Sequence, residues 1–541
     1  MYLNFSDIPG HQNLFLDYLN EFENVERFYK NNFREVEKYE NIFNQISNLD
    51  RPHRADLAEA IKTQYTEIKS SKKTQANIDA LNSPKTIAVV TGQQLGMIGG
   101  PLYTIYKTIT AVKLTMFLKE KFEGFNFVPV FWLEGDDHDY EEVRSVNLIN
   151  NENRIFEVKY NDGELEELNR GNIGHLKFND NIEEIFKQIE AELRETEFKK
   201  PISDFLRTLY KPGRTFLEAF RELMIGLFDE YGLIVFNPLV PSVKRLLIPI
   251  FEKEISRYRD HTGILVERSA ELEELYHAQV KVKAINLFYI DESERLLIEP
   301  VENDYRLKGK RKKFTHEEII SQVKSNPEKF SPNVLLRPIC QDYLFPTGLY
   351  VGGPGEVSYF AQVTPLYELY GITEPVIYPR SSATIIEKGV QTILDKYKLN
   401  LSDIFLSEDQ LITKVIMADA GADISNLFND TVQAISSLFE PVNDKMNLID
   451  KTLIDLTKKT KERIEQSIDF LKSKAIEAEK RKHEATIRQL GKVRNILYPN
   501  DNLQERELNF IYFMNKYGSD FLKWVFSELA INKFEHQVLE L

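Results

Sequence analysis

The chain has 541 residues, which exceeds what one hydrophobic core usually fills and therefore predicts two or three structural units. Hydrophobic residues make up 42% and charged residues 28%, an ordinary globular balance that excludes disorder on a large scale. The formal net charge of −15 argues against nucleic acid or a membrane surface as a partner, because both are anionic and would be repelled.

The first 80 residues show helical patterning with acids and bases interspersed, as in the stretch 28–46. We expect this N-terminal helical segment, 1–80, to pack on a core that follows it. The start of the chain lacks the basic region and cleavage site of a secretion signal, and no apolar run approaches the roughly 18 residues of a membrane span. These features predict a cytoplasmic protein.

Five short apolar runs follow, and each ends at a polar or glycine turn that leads towards a helix. They read TIAVVTG, FVPVFWLEG, GLIVFNP, GLYVGGPG and EPVIYPR. Runs that are apolar throughout are buried on both faces, as in a mainly parallel sheet covered by helices. The pattern predicts a doubly wound α/β core over residues 81–420.

Two stretches of different character interrupt this core. One is typical of a hairpin of strands around Asn161–Gly163, and the other of a hairpin around Asp291–Glu292. We expect both to be insertions into the sheet domain, at about 151–200 and 271–330.

Beyond residue 440 glycine becomes rare, and lysine, glutamate and alanine dominate. A seam of residues keeps spacings of three or four: Ile449, Leu453, Leu456, Thr460, Ile464, Ile468, Leu471, Ala475, Ala478, Lys482 and Ala485. This spacing is typical of a coiled coil and predicts a C-terminal helical region over 421–541. Its partner is either a second copy, which would make a homodimer, or the amphipathic segment that follows Pro499 in the same chain.

Four glycines lie between the first predicted strand and the next helix: Gly92, Gly96, Gly99 and Gly100. We expect the strand to end near Val90 and Pro101 to mark the start of the helix. Glycine leaves backbone N–H groups accessible, so the bend predicts an anion site at a helix N-terminus. A similar turn recurs at Gly352–Pro354. The spacing matches neither the dinucleotide nor the Walker A fingerprint, and a connection without any ligand is the alternative.

The second predicted strand runs into an acidic cluster: Glu134, Asp136, Asp137, His138, Asp139, Glu141 and Glu142. Carboxylates and an imidazole at a strand's carboxyl end suit proton transfer, substrate binding or a metal. A simpler alternative is that Asp136 or Asp137 caps the following helix. A catalytic zinc usually has more imidazoles nearby than this stretch offers.

Further polar candidates occur at turn positions: His277, Gln279, Arg337, Gln341, Asp342, Tyr378 and Arg380. Arginine grips a carboxylate or phosphate through two parallel bonds, which suits an acidic protein that must bind an anion. For each arginine a structural ion pair is the alternative. Cys340, the single cysteine, lies in an apolar run without a neighbouring histidine, and we expect it to pack in the core.

Seven blocks of the sequence resemble one known family in their order and length. They read VVTGQQLGMIGGPLYTIYKTITAVKL, VPVFWLEGDDHDYEEV, YHAQVKVK, SPNVLLRPICQDYLFPT, YVGGPGEVSYFAQVTPLYE, VIYPRSSATIIE and LQERELNFIYFMNKYG. Together they are similar to the bacillithiol biosynthesis cysteine-adding enzymes, the BshC family. The resemblance spans nearly the whole chain.

This resemblance implies a Rossmann-like core related to the class I nucleotidyltransferases, with two connective insertions and a C-terminal coiled coil that makes a homodimer. It also implies a ligase that joins the carboxyl group of cysteine to the amine of glucosaminyl malate, the last step of bacillithiol biosynthesis. The His-x-Gly-His and Lys-Met-Ser-Lys-Ser signatures of the related synthetases are absent from the sequence. Their ATP-handling residues are therefore not carried over.

Amide formation needs an activated carboxyl group and a base that takes a proton from the amine. We expect ATP or another nucleotide as the activator, with no metal beyond the Mg²⁺ that accompanies it. Asp137 or His138 would accept the proton, and Arg380 and Lys107 would hold malate carboxylates or phosphate.

The other residues expected to bind substrate or nucleotide are Thr91, Gly92, Gln93, Gln94, Gly96, Gly99, Gly100, Tyr103, Trp132, Gln279, Arg337, Gln341, Asp342, Gly352, Gly353, Glu356 and Tyr378. Two other functions remain open. One is a metal-dependent hydrolase built on Asp136–Asp139, and the other is a non-catalytic scaffold that uses the coiled coil.

Overall fold

The computed structural model describes residues 1–165, 168–416 and 422–541, apart from the side chains of 422–425, 476 and 479–482. The chain forms two compact units, one of Met1–Thr384 with Gln504–Leu539 and one of Ile385–Leu503 with Glu540–Leu541. The predicted boundary at 420/421 lies outside the described residues. Within the described ranges, no helix has the length and apolar character needed to cross a membrane.

The strands are β1 (Tyr2–Leu3), β2 (Thr86–Gln94), β3 (Asn126–Glu134), β4 (Ser145–Ile149), β5 (Ile155–Lys159), β6 (Ile234–Phe236), β7 (Leu287–Asp291), β8 (Glu294–Val301), β9 (Asp304–Leu307), β10 (Lys313–Phe314), β11 (Phe330–Pro332), β12 (Thr347–Gly352), β13 (Val376–Pro379), β14 (Ser382–Ile386) and β15 (His536–Glu540).

The helices are α1 (Asn13–Asn20), α2 (Tyr39–Asn48), α3 (Arg54–Gln64), α4 (Lys72–Ala80), α5 (Leu102–Lys121), α6 (Tyr140–Val143), α7 (Ile182–Glu192), α8 (Lys199–Leu209), α9 (Phe216–Phe228), α10 (Pro241–Leu246), α11 (Ile248–Glu273), α12 (His316–Ser325), α13 (Arg337–Leu344), α14 (Pro354–Tyr370), α15 (Lys388–Tyr397), α16 (Leu401–Ile404), α17 (Glu408–Ile416), α18 (Ala422–Ile449), α19 (Leu453–Lys482), α20 (Glu484–Leu497), α21 (Gln504–Glu507), α22 (Ile511–Tyr517) and α23 (Asp520–Glu528).

A five-stranded parallel sheet forms the centre of the first unit, in the order β13-β12-β2-β3-β6. These are the five apolar runs predicted from the sequence, and β2 is buried from Thr86 to Gly92. Counted in chain order among themselves, the five strands lie as 3-2-1-4-5, the order of the Rossmann fold. The predicted doubly wound α/β core is confirmed.

The first glycine of the bend lies inside a strand and not after it. β2 continues to Gln94, past the predicted end near Val90, because its parallel pairing with β3 runs on to Gln94 opposite Glu134. A Cβ on Gly92 would lie 2.9 Å from the Trp132 carbonyl oxygen of β3. Glycine at this position therefore permits the close approach of the two strands.

The two interruptions of the core behave differently. β7 and β8 form the predicted antiparallel hairpin, with Asp291 opposite Glu294. The first hairpin is formed by β4 and β5 and turns at 150–154, so the hairpin predicted around Asn161–Gly163 is wrong. The reason is local, since the Asn150 side chain accepts the backbone N–H of Arg154 at 2.9 Å and closes the turn there. Residues 161–163 form only a local turn, in which Asn161 Oδ1 accepts the Gly163 N–H at 2.9 Å.

Residues at both ends of the chain meet in the first unit. Residues 1–80 contribute β1 and α1 to α4, as the helical patterning of this segment predicts. β1 pairs antiparallel with β15, so that Tyr2 lies opposite Gln537. This pairing holds the returning C-terminal segment against the start of the chain.

The second unit contains a helical hairpin of α18 and α19. Ser436 donates to Glu465 and Lys472 donates to Asn429, both at 3.3 Å, and these pairs are spaced symmetrically about the turn at 450–452. The two helices are therefore antiparallel. Only part of the predicted seam is half-buried against the hairpin, at Leu453, Ile464, Ile468 and Ala475, whereas Ile449, Leu456 and Leu471 are exposed. The partner of α19 in this hairpin is α18, and the segment 504–539 after Pro499 belongs to the first unit. The predicted C-terminal coiled coil is confirmed, and pairing with a second copy stays a prediction.

Candidate active site

A cleft of about 660 Å³ lies at the carboxyl ends of the central strands. Its lining comes from the ends of β2 and β3, the start of α5, the turn from β12 into α14, and the loop that precedes β7. β2 and β12 lie side by side in the sheet. The chain continues from β2 to β3 on one side and from β12 to β13 on the other. Doubly wound folds bind their ligands at this point of the topology.

The cleft is locally basic although the chain is acidic. Its basic lining residues are Lys107, Lys281, Lys283, Arg295, Arg337, Arg380 and Arg506. Its acidic lining residues are Glu134, Asp136, Asp137, Glu142 and Glu356. Seven cations against five carboxylates provide the local attraction for an anionic ligand that a chain of net charge −15 otherwise lacks.

The glycine bend after β2 is closed by its own backbone. The amides donate as follows: Gly96 to Gln94 O at 2.9 Å, Gly99 to Gly96 O at 3.1 Å, Gly100 to Met97 O at 2.9 Å and Leu102 to Leu508 O at 2.9 Å. This differs from the expectation of open amides, because a short 3₁₀ turn at Met97–Gly99 uses the N–H groups of Gly99 and Gly100, and the distant Leu508 accepts that of Leu102. An anion at this bend does not find these N–H groups free.

The C-terminal segment fixes the shape of the bend. The buried Asn509 side chain donates to the carbonyl oxygens of Ile98 at 2.8 Å and Gly100 at 2.6 Å. Gly99 and Gly100 have φ of +81° and +70°, a region that favours glycine. These glycines therefore serve backbone shape and close packing.

Lys107 joins the bend to the turn after β12. Its Nζ lies 2.5 Å from the Gly92 carbonyl oxygen, 3.1 Å from Gln93 Oε1 and 2.6 Å from Glu356 Oε2. Three acceptors use the three N–H donors of an ammonium group. Burial lowers the pKa of Lys107, and the Glu356 carboxylate opposes that shift.

Glu356 caps the start of α14. It accepts the Gly353 N–H at 2.8 Å and the Tyr350 hydroxyl at 2.5 Å. Burial alone would raise the pKa of Glu356, but Lys107 and these hydrogen bonds hold it below its ordinary value. The carboxylate is therefore charged and already partnered, and this second helix start is closed as well.

The acidic cluster after β3 divides into structural and accessible members. Asp136 lies 2.7 Å from Lys244 Nζ, and both side chains are buried. Asp139 caps α6 by accepting the Glu142 N–H at 3.3 Å. The predicted capping role therefore falls to Asp139 and not to Asp136 or Asp137.

Asp137 faces the cleft with its carboxylate held in place. One oxygen accepts from the Gln94 side chain at 2.6 Å, and the other accepts the His138 N–H at 2.7 Å. Its side chain is 30% exposed. A carboxylate has capacity for more than two hydrogen bonds, so Asp137 can still accept a proton from a ligand.

His138 is held by an arginine that the sequence analysis missed. Arg295 of β8 donates from Nη1 to His138 Nδ1 at 2.8 Å and from Nε to Ser331 Oγ at 2.8 Å. Burial and the Arg295 charge lower the pKa of His138, so the ring is neutral near pH 7. Because Nδ1 accepts, the ring proton lies on Nε2 and the free edge is a donor. Of the two predicted bases, Asp137 suits the task.

Glu134 is a second carboxyl group in the cleft with unusual titration. Its Oε1 lies 2.9 Å from Arg337 Nε. Burial raises the pKa of Glu134 to about 7, although the Arg337 charge acts in the opposite direction. Arg337 also donates to the Tyr359 hydroxyl at 2.6 Å and to Gln341 at 3.0 Å. These three contacts hold the Arg337 guanidinium group in one orientation.

Arg380 is oriented by a residue far along the chain. Its Nη2 donates to Glu505 Oε1 at 2.6 Å, and the Glu505 carboxylate also accepts from Ser382 Oγ at 2.8 Å. Glu505 is 1% exposed and lies on α21, beside the cleft residue Arg506. Sequence periodicity carries no signal for such a pair, because the partners are 125 positions apart.

The cleft lining includes many of the residues predicted from the sequence: Gly92, Gln93, Gln94, Tyr103, Lys107, Asp137, His138, Gln279, Arg337, Gly353, Glu356 and Arg380. Gly96 and Gly100 line a neighbouring side compartment.

Seven predicted residues lie outside both linings: Thr91, Gly99, Trp132, Gln341, Asp342, Gly352 and Tyr378. Most of them have partners inside the protein. Thr91 donates to the Val351 carbonyl at 2.9 Å, and Tyr378 donates to the Ile531 carbonyl at 3.0 Å. Trp132 packs against Phe236 with ring centroids 5.2 Å apart. Thr91, Tyr378 and Trp132 thus contribute to the packing around the cleft and not to its lining.

Lys281 and Lys283 are two further cations of the cleft. Both lie in the block YHAQVKVK, but the sequence analysis predicts no role for either. They alternate with Gln279 along a segment without regular structure. The buried Gln362 side chain holds that segment, because it accepts the Val280 N–H at 2.8 Å and donates to the Val280 carbonyl at 2.9 Å. The alternation of polar residues was the signal that could have found these lysines.

The donors after β3 do not fit a metal-dependent hydrolase. In the ranges that the structure describes, no group of three or more His, Cys, Asp or Glu side chains could hold a metal ion. Lys244 lies against Asp136 and Arg295 against His138, so cationic groups occupy the positions that a metal would need. Cys340 is buried in the core, as expected, and this burial raises the pKa of its thiol.

Comparison with known proteins addresses the whole chain. Residues 1–381 match the family model "Bacillithiol biosynthesis BshC, N-terminal Rossmann-like domain", and residues 383–541 match "Bacillithiol biosynthesis BshC, C-terminal coiled-coil domain". A solved structure titled "putative arginyl t-RNA synthetase" from Campylobacter jejuni covers 88% of this chain and 98% of its own, at 11% identity with a TM-score of 0.18, which is too low to support an argument.

Curated relatives match over nearly their full length. A protein of Salinibacter ruber is 34% identical over 97% of this chain and 96% of its own length. A protein of Chloroherpeton thalassium is also 34% identical, over 96% of this chain and 95% of its own. Both are named "Putative cysteine ligase BshC", which confirms the expected enzyme class, a ligase. The chain belongs to the BshC family of bacillithiol biosynthesis.

Proposed function

We propose that this chain joins the carboxyl group of cysteine to the amine of glucosaminyl malate, with the carboxyl group first activated by a nucleoside triphosphate. Family membership supports the reaction class, and the names of the relatives point to cysteine. The observation that carries the proposal is the combination, in one cleft, of a fixed carboxylate base and cations that have no carboxylate partner among the described residues.

The cations without a described carboxylate partner are Lys281, Lys283 and Arg506. In the described part of the chain, no carboxylate oxygen lies within 4 Å of any of the three, and all three line the cleft. Two malate carboxylates or a phosphate chain would supply the missing negative charges. Lys107 and Arg380, which the sequence assigned to this task, each already hold a carboxylate. We assign them to the support of the site.

Asp137 is the proposed base. The amine of glucosaminyl malate would attack the activated carbonyl carbon, lose its proton to Asp137 and expel the activating group. The hydrogen bonds from Gln94 and the His138 N–H hold the carboxylate in one orientation, which favours proton transfer in a fixed geometry. The nucleotide, with its Mg²⁺, would make the cysteine carboxyl group electrophilic.

The test is an incubation of the purified chain with glucosaminyl malate, cysteine and each nucleotide in turn, with product detected by mass spectrometry. We expect amide product with one nucleotide and a matching amount of cleaved nucleotide. Asp137→Asn should slow turnover by about a hundredfold or more with little change in substrate binding. The matched control is Asp139→Asn, which keeps a good capping side chain and should stay within about twofold.

Two outcomes would contradict this proposal. Unchanged turnover in Asp137→Asn would remove that residue as the base. Absence of product under every nucleotide, from a chain that still binds its substrates, would favour the scaffold alternative.

We also propose that the hairpin of α18 and α19 mediates a homodimer. Large apolar side chains are exposed on it: Leu427, Leu438, Val442, Leu448, Ile449, Leu456, Phe470 and Leu471. Exposed apolar patches of this kind mark association surfaces. Light scattering should give twice the chain mass for the wild type and a smaller mass for Leu456→Glu with Leu471→Glu. An unchanged mass in that double variant would contradict this interface.

A further inference from the structure

A side compartment of about 250 Å³ lies next to the cleft, under the glycine bend. The two cavities share five lining residues: Gln93, Gln94, Tyr103, Glu142 and Arg506. Gly96, Gly100 and Asn509 line the compartment and do not line the cleft. A ligand can therefore occupy the compartment while its reactive end faces the cleft.

The compartment contains a polar group that the protein leaves unused. Thr104 is fully buried and lines the compartment, and its Oγ1 has no hydrogen-bond partner in the described residues. The Thr104 backbone is satisfied, since its N–H donates to the Pro101 carbonyl and its carbonyl accepts from Thr108 Oγ1. A buried hydroxyl without a partner costs stability, and a ligand that bonds to it would recover that cost.

The wall between the cavities carries one charge of each sign. Glu142 accepts from the Gln94 amide at 2.8 Å, and no lysine or arginine nitrogen lies within 4 Å of it in the described ranges. Arg506 is the cation of the same wall, and no described carboxylate neutralises it. Opposite charges held apart suit a ligand that itself carries an ammonium and a carboxylate group.

The size of the compartment selects a small ligand. About 250 Å³ is the space of roughly eight water molecules at about 30 Å³ each. A small amino acid fits this space, whereas a sugar-malate conjugate or a nucleotide needs the larger cleft. Val143 and Val146 supply apolar surface for a short side chain, and both are buried.

We infer that the side compartment is the subsite for a small α-amino acid, with the ammonium group on Glu142, a hydrogen bond to Thr104 Oγ1 and the carboxyl group near Arg506, facing the cleft. This inference rests on the proposed function, in which the amino acid is cysteine. It also explains how the enzyme avoids joining cysteine to itself. An ammonium group that stays protonated on Glu142 is no nucleophile, so the amine in the cleft attacks instead.

The test compares ligands that differ in one charged group, by calorimetry on the full chain. L-cysteine carries both groups, and 3-mercaptopropionate lacks the ammonium. Glu142→Gln should weaken cysteine by about tenfold and leave 3-mercaptopropionate within about twofold. The matched control is Glu141→Gln, because Glu141 lines neither cavity and pairs with Arg144 and Lys159. It should leave both ligands within about twofold.

Thr104→Val tests the second contact with a side chain of nearly the same shape. The hydroxyl makes no hydrogen bond to any residue that the structure describes, so we expect the midpoint of urea unfolding to hold or rise. Cysteine affinity should fall by about three- to tenfold. A fall in stability with unchanged affinity would show a purely structural role and overturn this contact.

All titrations are run with and without glucosaminyl malate and a non-hydrolysable nucleotide, so that an ordered binding sequence cannot hide a site. Equal weakening of both ligands in Glu142→Gln, or no cysteine binding under any condition, overturns the inference. The proposed function is judged separately by product formation. If the wild type makes product while the KM for cysteine is unchanged in Glu142→Gln, the subsite is wrong and the function stands. If no product forms but Glu142→Gln shows the ligand-specific loss, the function is wrong and the subsite stands.

Discussion

Two glycine-rich turns follow neighbouring strands of the same sheet, and different groups form the hydrogen bonds to their backbones. The bend after β2 is closed by its own backbone and by Asn509, a residue about 400 positions away. The turn after β12 is closed locally by Glu356, which accepts the Gly353 N–H three positions earlier. Lys107 connects the two. Glycine spacing thus predicts the shape of a backbone, but it does not predict which donors stay free.

The largest expected effect comes from breaking the connection between the turns. Glu356→Gln leaves the buried Lys107 ammonium without its carboxylate, and Lys107→Met leaves Glu356 without its ammonium. Removing one partner of a buried pair should cost about 3–5 kcal/mol in the free energy of unfolding. Urea unfolding measures both. The double variant should recover part of the loss, and additive losses would show that the two groups are not coupled.

The next largest effect is the change in stability caused by one added methyl group, which should differ between the two turns. Gly92→Ala places a Cβ 2.9 Å from a backbone oxygen of β3, whereas Gly355→Ala in the first turn of α14 meets nothing within 4 Å. We expect a loss of about 2–3 kcal/mol for the first variant and a gain of up to about 1 kcal/mol for the second. Thermal unfolding of the two variants side by side checks this, and equal midpoints would contradict it.

The distant closure of the first bend can be removed by Asn509→Ala. Two buried carbonyl oxygens, of Ile98 and Gly100, would lose their donor, at a cost of about 2 kcal/mol. Asn20→Ala at an exposed position is the control and should change stability by less than about 0.5 kcal/mol. Hydrogen exchange should also rise at the amides of Gly99 and Gly100. Unchanged exchange there would mean that the bend holds without Asn509.

The smallest expected effect is a dependence on pH that has opposite signs at two strand ends. Burial raises the pKa of Glu134 to about 7, so its contribution to stability is present below pH 4.5 and is lost as pH rises through 7. Glu356 has a lowered pKa, so its contribution is present above pH 4.5 and is lost as pH falls. Between pH 5 and 6, where the carboxyl group is largely ionised in the unfolded chain and not in the folded one, Glu134→Gln should gain about 1 kcal/mol relative to wild type. Urea midpoints across that range measure it, and a flat difference would contradict the raised pKa.

Local patterns in the sequence predicted the central sheet and the general place of the site. A buried parallel strand needs apolar residues throughout, and each of the five runs carries that requirement within a few positions. The ends of those strands then had to meet at one edge, which placed Gln94, Asp137 and Glu356 in one cleft. The continuous apolar runs and the polar residues that follow them were sufficient for this part.

The partners of these groups could not be predicted in the same way. Arg295 reaches His138 from 157 positions away, and that contact decides which ring nitrogen carries the proton. Glu505 reaches Arg380 from 125 positions away. Such pairs depend on how the insertion and the returning segment pack, and they leave no periodic trace in the sequence. The turn at Asn150 was missed for a simpler reason, since an asparagine that hydrogen-bonds to the following backbone competes with the Asn-Asp-Gly signal that begins eleven residues later.

The late return of residues 504–509 has a consequence for how the chain is made. During synthesis the sheet can assemble as soon as its last strand has left the ribosome, but Asn509 and Glu505 emerge more than a hundred residues afterwards. Until then Arg380, Leu102 N–H and the carbonyl oxygens of Ile98 and Gly100 lack their final partners. A fragment cut at residue 384 would keep all five central strands and yet remain unfinished. Chains that terminate early are therefore unable to complete the cleft at the carboxyl ends of the central strands, however well their sheet has formed.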